Sequence, residues 1–124
     1  MTIDLNRHYQ SLITLYKNAP INTIYNPELS ISDKKATITI DCNPELFHGA
    51  GYLHGSVFFK LLDDSAYFAA QSIQHDHFMV TSSFNSHFIR PVNSGQLIAQ
   101  GTLVEHTKNN YFARVGPRGR CGSS

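Results

Sequence analysis

Gly55-Ser56-Val57-Phe58-Phe59-Lys60-Leu61-Leu62-Asp63-Asp64-Ser65-Ala66-Tyr67-Phe68-Ala69-Ala70-Gln71 is the stretch whose periodicity decides the architecture. It is expected to form a helix running on to about Gln74. At 100° per residue, Ser56, Lys60, Asp63, Asp64, Gln71 and Gln74 fall on one narrow stripe with Tyr67 inside it. The remaining circumference is apolar or small. A helix of that kind is enclosed, so a sheet is expected to wrap around it.

Upstream, the loop from Cys42 to Leu53 holds Pro44, Gly49 and Gly51. Before it, strict alternation places Ala36, Ile38 and Ile40 on one face and Lys35, Thr37, Thr39 and Asp41 on the other, the mark of a half-buried strand. Asp33-Lys34 reads as a turn and residues 26–32 as a weaker partner strand, together a hairpin. Leu5, His8, Tyr9, Leu12, Ile13 and Tyr16 recur at three- and four-residue steps on one face of an N-terminal helix that Ala19-Pro20 ends.

Downstream, residues 79–90 alternate Val80, Phe84 and Phe88 against Thr81, Ser83, Asn85 and His87, and residues 91–95 turn the chain. Residues 96–107 carry apolar side chains on both sides, an expectation of cover on both faces. Lys108-Asn109-Asn110 is a tight-turn sequence, and Tyr111 to Val115 begins a returning strand. Residues 116–124, Gly-Pro-Arg-Gly-Arg-Cys-Gly-Ser-Ser, lack apolar periodicity and are read as an irregular tail, so one domain is expected over residues 1–115. This order of elements is α+β, with one sheet around one long helix.

The chain has 124 residues, the size of one ordinary domain. Ten basic against nine acidic side chains give a net charge of +1, without the surplus that nucleic-acid binders or membrane-surface proteins carry. No apolar run reaches membrane-spanning length and residues 1–7 do not resemble a secretory signal. Cys42 and Cys121 match no metal or redox spacing and read as unpaired thiols in a reducing compartment. A cytoplasmic protein without nucleic-acid or membrane partners is expected. His75-Asp76-His77 lacks a third ligand at metal spacing and reads as a solvated loop, so no metal site is expected.

Chemistry points to the start of the long helix. The first NH groups of a helix lack internal partners and concentrate partial positive charge, and Gly55 lets an acyl oxygen approach them closely. Asp63 lies about two turns on and returns to nearly the azimuth of Ser56. Burying an unpaired carboxylate costs several kcal/mol, so Asp63 is expected at a cleft or in a pair. Its neighbour Asp64 fits a salt bridge or helix-face contact better.

Phe47-His48-Gly49-Ala50-Gly51-Tyr52-Leu53-His54-Gly55-Ser56, followed by Lys60-Leu61-Leu62-Asp63-Asp64-Ser65-Ala66, resembles the central motif of hotdog-fold thioesterases of the PaaI type. In that family a His-Gly-Gly is followed, nine residues after the His, by an Asp, and His54 to Asp63 keeps the spacing. The likeness continues through Thr81-Ser82-Ser83-Phe84 and Ile89-Arg90-Pro91, covering roughly residues 35–115. It implies a hotdog fold, a curved antiparallel sheet around a long central helix. It also implies hydrolysis of an acyl-CoA thioester without a cofactor. The Gly55 NH would bind the carbonyl oxygen, Asp63 would act as nucleophile or as general base, and Thr81 would orient water. An ordinary strand threonine accounts for Thr81 equally well.

The chain departs from the pattern at three places. His48 stands where relatives have Asn or Gln; it can still donate to a carbonyl but, unlike an amide, is an ionisable group. Ser56 replaces the second Gly and could cap the helix. Relatives return with a final strand, and nothing after Val115 resembles one, so the sheet is expected to close differently or the chain end to be unnatural.

The resemblance further implies a homodimer or dimer of dimers, each site combining the Gly55 side of one protomer with the Asp63 side of the other. Phe58, Phe59, Tyr67 and Phe84 would wall the acyl group, though such side chains are more often simple core. Arg90 and Lys60 would meet the CoA phosphates. Two other functions fit the same fold: a hydratase or dehydratase using His48 or His54 as base, and a non-catalytic acyl-CoA-binding protein.

Overall fold

The computed structural model describes residues 4–83, 91–108 and 110–117. Helix α1 (Leu5–Lys17) is followed by a short α2 (Asn22–Tyr25), strands β1 (Glu28–Ser32) and β2 (Lys35–Asp41), a 3-10 turn at Pro44–Leu46, helix α3 (Gly55–Gln71), and strands β3 (Gln96–His106) and β4 (Tyr111–Pro117). The strands form one antiparallel sheet in the order β1-β2-β3-β4.

The alternation in β2 survives in three dimensions. Ala36, Ile38 and Ile40 are buried beneath α3, while Lys35 and Asp41 are exposed. Ser32 pairs with Lys35, so Asp33-Lys34 forms the turn, with Lys34 in the left-handed region at φ 61°. The Lys34 NH donates to Ser72 Oγ (2.8 Å) and its carbonyl accepts from the Leu103 NH (2.8 Å), tying the hairpin tip to the end of α3 and to β3.

Helix α3 crosses β2, β3 and β4 and buries Val57, Leu61, Ser65, Phe68 and Ala69. The crossing is closest at Gly101 of β3, where a Cβ would overlap the carbonyl of Ser65 and the nitrogen of Ala66. Only glycine lets helix and strand approach so closely here. Leu97, Ala99 and Leu103 share that buried face. The opposite face of β3 is only half-covered and Val104, at the register shift against β4, is exposed, which corrects the expectation of two covered faces.

Helix α1 is capped by the Asp4 carboxylate, which accepts from the Arg7 NH (3.1 Å). Leu12 and Tyr16 bury its inner face. Leu5, assigned to that face from spacing, is exposed.

The sequence-based boundaries change at three elements. Helix α3 stops at Gln71 rather than Gln74, because Ser72 turns its hydroxyl back onto the Ala69 carbonyl (2.7 Å) and accepts the Lys34 NH. Strand β4 runs to Pro117, so Gly116 and Pro117 pair with β3 instead of starting the tail. Residues 79–83 of the strand expected over residues 79–90 join no sheet ladder; residues 84–90 and 118–124 lie outside the described residues.

Candidate active site

The loop entering α3 is stitched in place by backbone bonds. Phe47 and Leu53 form an isolated bridge, the Leu53 NH donates to Val92 (2.8 Å), and the His54 NH donates to Leu46 (2.9 Å). Between them His48 begins a tight turn that Gly51 completes at φ +86°. The exposed His48 accepts the Ala50 NH at Nδ1 (3.0 Å), so its neutral ring carries the proton on Nε2.

His54, not Ser56, caps α3. Its Nδ1 accepts the Ser56 NH (3.0 Å) and lies 2.9 Å from Ser56 Oγ, while its carbonyl takes the Val57 NH (2.9 Å). This leaves the Gly55 NH, at the first helical position, with no acceptor bonded to it among the described residues. A half-buried, uncommitted NH at a helix start is a donor available to an anionic or carbonyl oxygen.

Asp63 projects from α3 into a cavity of about 470 Å³ lined by Ala66, Tyr67, Ala70, Met79 and Thr81 among others. Thr81 Oγ1 donates to Asp63 Oδ1 at 2.8 Å. Burial pushes the Asp63 carboxyl above its ordinary range; the Thr81 hydrogen bond opposes this, Asp64 adds to it, and Lys60 opposes it. The result is a carboxylate held less acidic than usual against an apolar wall, a group suited to taking a proton or attacking a carbonyl. Burial likewise raises the Tyr67 hydroxyl, which bonds the Met79 backbone.

Gln71 positions this arrangement, a role that periodicity missed by placing it on the polar stripe. Its side chain is buried, with Nε2 donating to the Gln74 (2.8 Å) and His77 (2.7 Å) carbonyls and Oε1 accepting from the Met79 NH (3.2 Å). One amide thus folds the segment after α3 back so that Thr81 reaches Asp63. No residue-type signal marks this role, because its partners are backbone atoms.

The structure brings Asp63, Tyr67 and Thr81 together and keeps His48, His54, Gly55 and Ser56 out of that cavity. Phe59, expected as an acyl wall, is 43% exposed and does not line it either. Lys60 requires a correction. Its ammonium pairs with Asp64 (2.7 Å) and sits 5.2 Å and 5.0 Å from the ring centres of Tyr16 and Tyr25, so it is committed inside the protein instead of being offered to a phosphate. Phe84 and Arg90 lie outside the described residues. Among these residues no helix is long and apolar enough to cross a membrane.

Residues 50–115 match the model of the thioesterase superfamily. No curated protein matches the chain in sequence. Among solved structures, a thioesterase from Haemophilus influenzae superposes with a TM-score of 0.77 at 22% identity, covering 95% of this chain and 80% of that one. The Escherichia coli PaaI protein from the phenylacetic acid degradation operon gives 0.73 at 18% identity, with 90% and 91% covered. A mutant of the Thermus thermophilus phenylacetic acid degradation protein PaaI gives 0.69 at 17% identity, with 83% and 90% covered. The matched segment contains the α3 entry, Asp63 and Thr81 and exceeds half of the chain: the protein belongs to the thioesterase superfamily and has the hotdog fold of its PaaI-type members.

Proposed function

We propose that the protein hydrolyses an acyl or aryl-acyl CoA thioester to the free acid and CoA, with Asp63 as the reacting carboxylate and the Gly55 NH as oxyanion donor. The observation that carries this reading is the Asp63 carboxylate itself, half-buried at the wall of a cavity, its pKa raised above the ordinary range by burial, and held by the Thr81 hydroxyl. As general base, Asp63 takes a proton from water while the water oxygen bonds the acyl carbon. The oxyanion so formed is held at Gly55, and its collapse breaks the C–S bond and releases the CoA thiolate, which takes the proton. As nucleophile, a carboxylate oxygen bonds the acyl carbon, the thiolate leaves, and water opens the resulting anhydride. One turnover in ¹⁸O-water separates the base route from a nucleophile whose anhydride is opened at the Asp63 carboxyl: the base route places the label in the released acid, whereas that nucleophilic route places it in Asp63 and releases an unlabelled acid.

Gly55 and Asp63 of one chain are separated by roughly 12 Å along the helix axis at 1.5 Å per residue. One thioester carbonyl cannot meet both at bonding distance. A second copy supplying Gly55 to this copy's Asp63 resolves the mismatch and supports a site at a homodimer interface.

Thiol release from hexanoyl-, lauroyl- and phenylacetyl-CoA tests the reading. Asp63→Ala should lose about 10²- to 10⁴-fold in kcat/KM, the span of positioned acid–base catalysis; equal rates would remove Asp63 from the mechanism. Gly55→Pro deletes the NH while suiting the first helical position, where proline is favoured and the preceding His54 is already extended at ψ 145°. Each variant alone should be inactive. Co-refolded in equal amounts, Asp63→Ala and Gly55→Pro should recover about a quarter of wild-type activity, because half the dimers are mixed and each mixed dimer holds one intact site. No recovery would refute the shared site.

A further inference from the structure

Resting on Asp63 as the reacting group, we propose that Lys60 and Tyr16 are positioning residues for it: they hold the adjacent carboxylate of Asp64 turned towards α1 and charge-matched, so that Asp63 alone faces the cavity.

Two carboxylates on neighbouring residues are a liability at a site that needs one of them ionised and aimed. Their Cα atoms are fixed about 3.8 Å apart, and like charges at short range disfavour ionisation of both. The helix separates their directions by about 100°. The fold then assigns them different surroundings. Asp63 lines the 470 Å³ cavity and accepts from Thr81, whereas neither Asp64 nor Lys60 lines it. Asp64 Oδ2 accepts from Tyr16 Oη at 2.6 Å and from Lys60 Nζ at 2.7 Å.

Helix stability does not explain this investment. Lys60 precedes Asp64 by four residues, the less favourable order for an ion pair along a helix, and an ordinary surface pair contributes little. Yet the side chains are only 12% and 21% exposed, and the ammonium is enclosed by Tyr16 from α1 and Tyr25 from α2 at cation–π distance. Three helices therefore converge on one ion pair that does not line the cavity. Burial and the Asp64 charge drive the Tyr16 hydroxyl far above its ordinary range, so it remains a donor to Asp64 at any working pH.

Among the described residues, the charged, titratable and hydrogen-bonding groups around Asp63 can be varied in turn. Lys60, Asp64 and Tyr67 share its helix, Thr81 contacts it directly, and His77, Lys108 and Tyr111 line the other cavity walls. Tyr16 and Tyr25 act at one remove, through Asp64 and Lys60.

The test follows the Asp63 carboxyl by ¹³C NMR in the full-length protein, beside the pH profile of kcat/KM for phenylacetyl-CoA. Lys60→Gln should move the Asp63 titration and the acid limb of the profile to higher pH. Asp64→Asn should move both to lower pH, Lys60→Gln/Asp64→Asn should return them towards wild type, and Lys60→Arg should leave them near it. A purely structural clamp would lower the melting temperature in Lys60→Gln and leave both midpoints in place, and that result overturns the proposal. Should Lys60→Gln fail to fold, an Asp64→Asn titration that does not move overturns it equally. The NMR arm is independent of turnover, so full thiol release by Asp63→Ala would sink the catalytic reading while the titrations still decide whether Lys60 and Asp64 act on Asp63.

Discussion

The two long faces of α3 are built by opposite rules. Towards the sheet, Val57, Leu61, Ser65 and Ala69 are almost fully buried, and at Gly101 the backbones of strand and helix meet without room for a methyl group. Towards the cavity, the same helix presents Asp63 and Tyr67 beside an open volume of about 470 Å³, against a segment that joins no sheet ladder among the described residues. The packed face contributes stability. The open face keeps a carboxylate in surroundings that disfavour its charge, which costs stability and is the feature on which the proposed catalysis rests.

If that division holds, substitutions on the packed side should change stability and those on the open side should change rate. The largest stability effect is expected at Gly101→Ala. The added Cβ meets backbone, which cannot rotate away as a side chain can, so α3 must lift from β3. Overpacking of this kind typically costs about 1–3 kcal/mol. Urea denaturation should show a lower midpoint with an unchanged slope. An unshifted midpoint would mean that the two elements are not in tight contact at Ser65.

Thr81→Val should leave the denaturation midpoint close to wild type, since Thr81 is exposed, and should lower kcat/KM about tenfold by removing a hydrogen bond to a charged group. The Thr81 hydrogen bond holds the Asp63 carboxyl down against burial. Without it the acid limb of the rate profile should move to higher pH, and Thr81→Ser should restore it. A rate loss with an unmoved limb would assign Thr81 to water or substrate instead of to Asp63.

The same contrast explains what was legible beforehand. The buried faces of β2 and α3 announced themselves because burial on one side imposes a period of 2 or 3.6 on hydrophobicity. Asp64 was read as the paired carboxylate, and its ion pair with Lys60 agrees. Lys60 was misassigned because a lysine committed to an internal pair and one offered to a phosphate look alike in sequence, and the rings that enclose it come from α1 and α2. Gln71 was placed on a solvated stripe because its partners are backbone atoms of the following loop, which leave no residue-type signature. The Asp63–Thr81 hydrogen bond spans 18 positions and no local pattern indicates it; the family resemblance named Thr81 only as a residue to orient water, not as a partner of Asp63.

The smallest predicted effect separates the two faces most directly, because it makes one residue gain stability as it loses activity. The folded Asp63 carboxyl titrates above its unfolded range, chiefly through burial, so the fold disfavours its charged form. The resulting cost is fully present above the folded value, diminishes as pH falls through it, and vanishes below the unfolded range near about 4. Asp63→Asn removes the charge and keeps an oxygen that can accept from Thr81. Its melting temperature should therefore exceed that of wild type at pH 7, by a margin small beside the Gly101→Ala loss. The margin should close as pH is lowered towards the ordinary carboxylate range. Melting curves collected from pH 7 down to pH 4 would show the convergence. A lower melting temperature for the asparagine variant at pH 7, or a gap indifferent to pH, would mean that Asp63 is stabilised as an anion by its surroundings and that the open face carries no cost.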